Sequence, residues 1–207
     1  MTPAPRAGRV EWSLEATVSP TVFKWDGQTS QCWATDAAFV NGRFYFYVSA
    51  GAGQIGVMVA DSAKGPWADP LGKPLMSGPF GAAQHPPTTF RDPCVFRDPA
   101  TGHYFMIAGV FEYYVTRLNS DMISFAESPR HITFTNDVFG PCGFNQTDDK
   151  PFMHKNQGTY YLSWGCFCAY SGSSLLPGSA SSLNDERCPQ TRQVRVSMGR
   201  LRCKDPS

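Results

Sequence analysis

The 207-residue chain contains no run of 18 apolar residues, the length a membrane-crossing helix needs. Residues 1–10 hold no apolar stretch of the kind a secretory signal requires, so no signal peptide is expected and the compartment stays open. Charge of either sign is not in excess. Eighteen Lys and Arg stand against 17 Asp and Glu, a formal net charge of +1. Neither nucleic acid nor a membrane surface is therefore expected as a partner. A Gly-rich phosphate loop and a nucleophile-elbow Ser are both missing. Gly51-Ala52-Gly53 is too short for the first and follows a hairpin, not a strand that leads into a helix. Metal-ligand spacing is missing too. Cys166 and Cys168 lie two apart, which is neither a zinc-ribbon nor a thioredoxin-like spacing, and His85, His103, His131 and His154 are scattered. No metal and no cofactor is expected. The seven cysteines read either as buried free thiols or as including one or two disulfides in an oxidising compartment.

What the chain does have is aromatic residues (14%), 19 Gly and 17 Pro, with 42% hydrophobic residues, enough to fill a core. Short aromatic strands between Gly and Pro turns predict an all-β architecture. Three segments, 36–51, 92–109 and 149–165, can be laid over one another. Each opens on an Asp (Asp36, Asp92, Asp149), continues as a short apolar strand, turns at a Gly (Gly42, Gly102, Gly158) and returns as an aromatic strand that ends on Gly. This is a β-hairpin pattern repeated three times. The remainder of each period supplies further strands at 55–60, 67–75, 113–118 and 130–134.

The opening Asp residues lie 56 and 57 positions apart, and a strand-built repeat of this length predicts a β-propeller with blades of about four strands. Five blades of this size would need about 280 residues, so the ring is expected to be incomplete, with about three recognisable blades. The first strand of each blade lines the propeller axis. The three Asp residues are therefore expected to converge at one mouth of the ring, where carboxylates are costly to ionise together. The competing role for each is to cap the turn before its strand. Beyond residue 170 the pattern stops. Residues 171–182 are rich in Ser and Gly and residues 187–204 are basic, so the propeller is expected over 1–170 and a solvated tail over 171–207.

Several of these segments resemble glycoside hydrolase family 43. Cys32-Trp33-Ala34-Thr35-Asp36 and the hairpin from Asn41 to Tyr47 resemble that family's Trp-Ala-Pro-Asp segment and the strand pair after it. Arg91-Asp92-Pro93-Cys94-Val95-Phe96 resembles its second Asp-Pro motif. Asp149-Lys150-Pro151-Phe152 resembles its Glu-Gly-Pro-Phe segment. The likeness covers residues 12–165.

The resemblance implies a five-bladed β-propeller, an extracellular setting, and inverting hydrolysis of arabinose- or xylose-containing polysaccharides. A general acid protonates the leaving oxygen while a base activates water on the opposite face of the sugar. By position, Asp92 matches the carboxylate that tunes the acid's pKa, and Asp149 stands where the family has its general-acid Glu. The family's first-blade base has no counterpart, unless Asp36 or Asp26 substitutes, and Asp26, in Trp25-Asp26-Gly27, reads as a turn residue. Trp33, Phe96 and Trp164 lie near the motifs as candidate stacking platforms for a carbohydrate partner, with blade packing as their other role. The alternative to an enzyme is a carbohydrate-binding relative or inactive fragment that keeps the cleft and lacks the acid–base pair.

Overall fold

The computed structural model describes residues 14, 16–26, 32–51, 53–78, 90–110, 113–132, 151–165 and 191–196. Among them there is no α-helix, only two 3-10 turns, Pro20–Val22 and Lys24–Asp26. Among the described residues no helix is long and apolar enough to cross a membrane.

Among the described residues eleven strands form three antiparallel sheets, which are three blades of an incomplete β-propeller. The first blade runs in the order β1 (Cys32–Val40), β2 (Arg43–Ala50), β3 (Gln54–Ala60), β4 (Met76–Ser77). The second runs β5 (Cys94–Arg97), β6 (Tyr104–Ala108), β7 (Tyr114–Arg117), β8 (Arg130–His131). The third holds β9 (Phe152–Asn156), β10 (Thr159–Gly165) and β11 (Thr191–Val196), with β10 in the middle. The strand β11 comes from the segment expected as a tail, so the third sheet reaches past residue 170.

Alternation of side chains along the strands determines how the blades stack. On β2, Tyr45 and Tyr47 face the second blade, whereas Val48 and Ala50 face away from it. On β6, Met106 and Ala108 face the first blade, whereas Phe105 and Ile107 face the third. One core therefore lies between blades one and two (Tyr47, Ile55, Val57, Met106, Tyr114), and a second lies between blades two and three (Ile107, Val115, Met153, Leu162, Trp164). Strands buried on both faces read as near-continuous apolar runs, which is why the central strands lack polar alternation. The inner strands follow one another, β1 beside β5 and β5 beside β9.

The outward face of the first blade is covered by the segment 16–26. Phe23 is fully buried there against Val48, Ala50 and Met58. A Cβ at Gly56 would run into the Phe23 ring, so only glycine lets this ring lie flat on β3. Trp25 donates its indole N–H to Asp69 Oδ2 at 2.9 Å, fastening the segment to the loop after β3.

Candidate active site

Trp33 and Asp36 stand on β1, and Arg91 and Asp92 on the approach to β5, so the first two blades meet at this point. A bulge on β1 between Trp33 and Thr35 breaks the pairing with β2. The bulged residue, Ala34, has φ +21°, and such a bulge re-aims its neighbours. Ser49 on β2 then joins the two blades. Its hydroxyl donates to the Ala34 carbonyl at 3.1 Å and accepts the Asp92 amide at 2.8 Å. Asp92 adopts φ +56°, a left-handed conformation that costs about 1 kcal/mol or more and that Asp tolerates better than most residues. It is 5% exposed.

Asp36 is half-buried, and both of its oxygens accept backbone amides. Oδ1 takes Ala37 at 2.8 Å and Oδ2 takes Val95 of the second blade at 2.6 Å. Burial pushes its carboxyl above the ordinary range, and the two amides offset only part of that. The Arg91 guanidinium lies 4.4 Å from the centre of the Trp33 ring. Such a contact contributes about 0.5–1 kcal/mol at an exposed place and holds the ring in one orientation. Trp33 keeps 42% of its surface exposed, enough to offer an aromatic platform.

At the opposite end of the second blade, Asp98 is buried within another inter-blade cluster. Its Oδ1 accepts Lys155 Nζ at 3.2 Å and the Tyr160 hydroxyl at 3.0 Å. Burial raises the Asp98 pKa, but the Ala100 amide, the Thr101 hydroxyl, Tyr160 and Lys155 together outweigh it and hold the carboxyl below its usual range. This cluster ties the second blade to the third and is separate from the Trp33–Asp92 end. Among the described residues, no group of three or more His, Cys, Asp or Glu gathers to hold a metal ion.

The expected site residues divide into three groups. Asp36, Asp92 and Trp33 come together at the junction of blades one and two. Asp149 lies outside the described residues. Phe96 and Trp164 are core, so of the two roles expected for them the structure gives blade packing and not sugar platform. They are 8% and 1% exposed, packed between blades two and three beside Tyr160 and Tyr113 respectively, and a ring buried on both faces offers none to a ligand. The alternation explains this. Phe96 shares the face of β5 that carries Cys94, and Trp164 shares the face of β10 that carries Leu162.

The expected equivalence of Asp36 and Asp92 also fails in the register. Asp36 lies inside β1 opposite Tyr47, whereas Asp92 precedes β5. Two contributors were not singled out in the sequence: Ser49 and Arg91. Ser49 and Arg91 carry no sequence signal apart from their neighbours.

Fold and site together define an incomplete β-propeller with a buried carboxyl and an exposed aromatic ring at the junction of its first two blades. Glycosyl hydrolases family 43 matches residues 8–184, and the chain belongs to that family. An arabinoxylan arabinofuranohydrolase of Bacillus subtilis (strain 168) is 34% identical over 69% of this chain and 29% of its own length. An arabinoxylan arabinofuranohydrolase of Paenibacillus polymyxa is also 34% identical, over 69% of this chain and 23% of its own length. Among solved structures, an α-L-arabinofuranosidase of Clostridium thermocellum ATCC 27405 superposes with a TM-score of 0.55 at 31% identity. That match covers 69% of this chain and 44% of the other. A β-xylosidase/α-arabinofuranosidase from a compost microbial metagenome, solved with xylotriose, gives 0.52 at 26% identity over 65% of this chain and 49% of its own. The chain thus spans less than half the length of each of these relatives.

Proposed function

We propose that the chain hydrolyses O-glycosyl bonds in arabinose- or xylose-containing polysaccharides with inversion at the anomeric carbon. The observation that carries this reading is the placement of Asp92. Asp92 is buried at the inter-blade junction, its backbone is fixed by Ser49, which also bonds Ala34 beside Trp33, and Arg91, its neighbour in the chain, lies over the exposed Trp33 ring. Sugar sites combine an aromatic face with a few convergent polar groups, and this junction has both. The names of the relatives, arabinofuranohydrolases and a xylosidase, support the substrate class.

In this mechanism Asp149 donates the proton to the leaving oxygen, and Asp92 keeps that proton in place by raising the acid's pKa. Asp36 takes the base role. Burial raises its proton affinity, and each oxygen, bonded to one amide, keeps a second lone pair for water. Inverting hydrolysis requires acid and base roughly 6.5–9.5 Å apart so that the water fits between them.

A second reading is a carbohydrate-binding relative without turnover. It is favoured by Asp36, whose two oxygens already accept amides and can act purely as a clamp between blades. Proton NMR of arabinoxylan oligosaccharides incubated with the chain separates the two readings. Turnover whose first-formed product carries the inverted anomeric configuration supports hydrolysis. Binding without product supports the second reading, and product with retained configuration contradicts the mechanism.

A further inference from the structure

A cleft of about 540 Å³ opens between the first and second blades at their hairpin ends, away from the Trp33–Asp92 junction. Its floor is apolar, from Val40, Tyr104, Leu118 and the buried Met122. Its rim is polar and carries Asn41, Arg97, His103 and Asn119. This size and this division between floor and rim are those of a small-ligand site.

Three tight turns build the walls. Asn41 (φ +52°) and Gly42 (φ +80°) form the two-residue turn between β1 and β2. The 98–103 turn is closed by its own bonds: Asp98 N–H donates to the His103 carbonyl at 2.9 Å, and the Gly102 amide donates to the Asp98 carbonyl at 2.7 Å. The 119–124 turn is held by Asp121, which accepts the Ile123 and Ser124 amides at 3.0 and 3.1 Å and the Ser124 hydroxyl at 2.6 Å. Walls fixed in this way need little ordering when a ligand enters.

The charge of the rim selects the ligand. Both neighbouring carboxylates are turned away, Asp98 toward Lys155 and Tyr160 of the third blade and Asp121 into its own turn. Arg97 is exposed and forms no ion pair with a described carboxylate. Its contact within the chain is the Tyr104 ring, 6.0 Å from the guanidinium carbon. An unpaired guanidinium above an aromatic floor is suited to a carboxylate, which it can bind bidentately.

We propose that this cleft binds a sugar ring that bears a carboxylate, as a second saccharide site apart from the junction of Trp33 and Asp92. The ring lies over Tyr104 and Leu118, its carboxylate faces Arg97 and its hydroxyls face Asn41 and His103. The choice of a sugar as ligand rests on the function proposed above.

Sodium glucuronate titrated into the full chain tests this, read by the His103 imidazole resonances in NMR, with a His103→Gln variant to identify them. Xylose and sodium acetate at the same concentrations are the comparators. The expected result is a saturable His103 shift with glucuronate, at least tenfold weaker in Arg97→Ala and partly restored in Arg97→Lys. Arg97 is exposed, so an unchanged melting temperature is expected for both variants. No saturable shift, equal affinity in Arg97→Ala, or an equal effect of acetate overturns the proposal. Hydrolysis of an aryl arabinofuranoside by the same sample is read independently. Its absence alongside glucuronate binding counts against the proposed function and supports the cleft, and the reverse pattern overturns the cleft alone.

Discussion

Asp36 on β1 and Cys94 on β5 occupy the same place in successive blades. Each accepts a backbone amide from the next blade, 59 residues further along the chain: Val95 donates to Asp36 Oδ2 at 2.6 Å, and Met153 donates to Cys94 Sγ at 3.3 Å. The structural partner of Asp36 is therefore Cys94 and not Asp92. A carboxylate joins blades one and two where a thiol joins blades two and three. Charge-assisted bonds are shorter and roughly twice as strong as neutral ones, so the first junction is the firmer of the two.

The Asp36→Ala variant leaves the Val95 amide without its acceptor inside a packed junction. A loss of about 1–3 kcal/mol of folding stability is expected, measured by urea denaturation. A change below a few tenths of a kcal/mol would mean that water replaces the carboxylate.

Asp36 and Asp98 give opposite pH dependences. The folded pKa of Asp36 is raised, so its contribution to stability is fully present below the ordinary Asp value near 3.9 and is lost as pH rises through the higher folded value. The folded pKa of Asp98 is lowered, so its contribution is present above about 3.9 and is lost as pH falls through the lower folded value. Melting temperatures of the parent and of Asp98→Asn, followed from pH 6 down toward pH 2, are expected to converge at the acid end. A gap that stays constant contradicts the pairing of Asp98 with Lys155 and Tyr160.

Cys94 is 3% exposed, and burial pushes its thiol up to about 12. Thiolate is the reactive form, so Cys94 is expected to resist alkylation at pH 8 in the folded chain and to react once urea unfolds it. Peptide mapping by mass spectrometry reads the site directly.

Phe23 fills the outward face of the first blade above Gly56. Phe23→Ala is expected to cost about 3–5 kcal/mol, the usual range for removing a fully buried ring. A loss under 1 kcal/mol in chemical denaturation would show that segment 16–26 is not part of the cooperative fold.

Much of the fold was legible in the sequence. The three hairpins and the incomplete ring followed from turn glycines and aromatic strands, and they correspond to β1–β2, β5–β6 and β9–β10. The third strand of the last blade was not legible. β11 is separated from β10 by a long Ser- and Gly-rich interval, and its Arg and Gln residues read as tail. At the candidate site, Trp33, Asp36 and Asp92 stood out in the sequence because they sit in motifs. Phe96 and Trp164 stayed open between sugar platform and blade packing because nearness along the chain does not say which face of a strand a ring takes. The register between Asp36 and Asp92 was misjudged because the bulge at Ala34 and the unequal turns at 41–42 and 98–103 shift the repeat without changing its outline.

Turnover of an aryl arabinofuranoside by the parent chain and by Asp92→Asn most directly tests whether the Asp92 carboxyl governs the chemistry. Asn also tolerates the left-handed backbone at this position, so the fold is expected to persist, with an unchanged melting temperature. The account predicts that kcat falls about a hundredfold or more, in the range of losing support for acid–base catalysis. Equal turnover by the two proteins would contradict it.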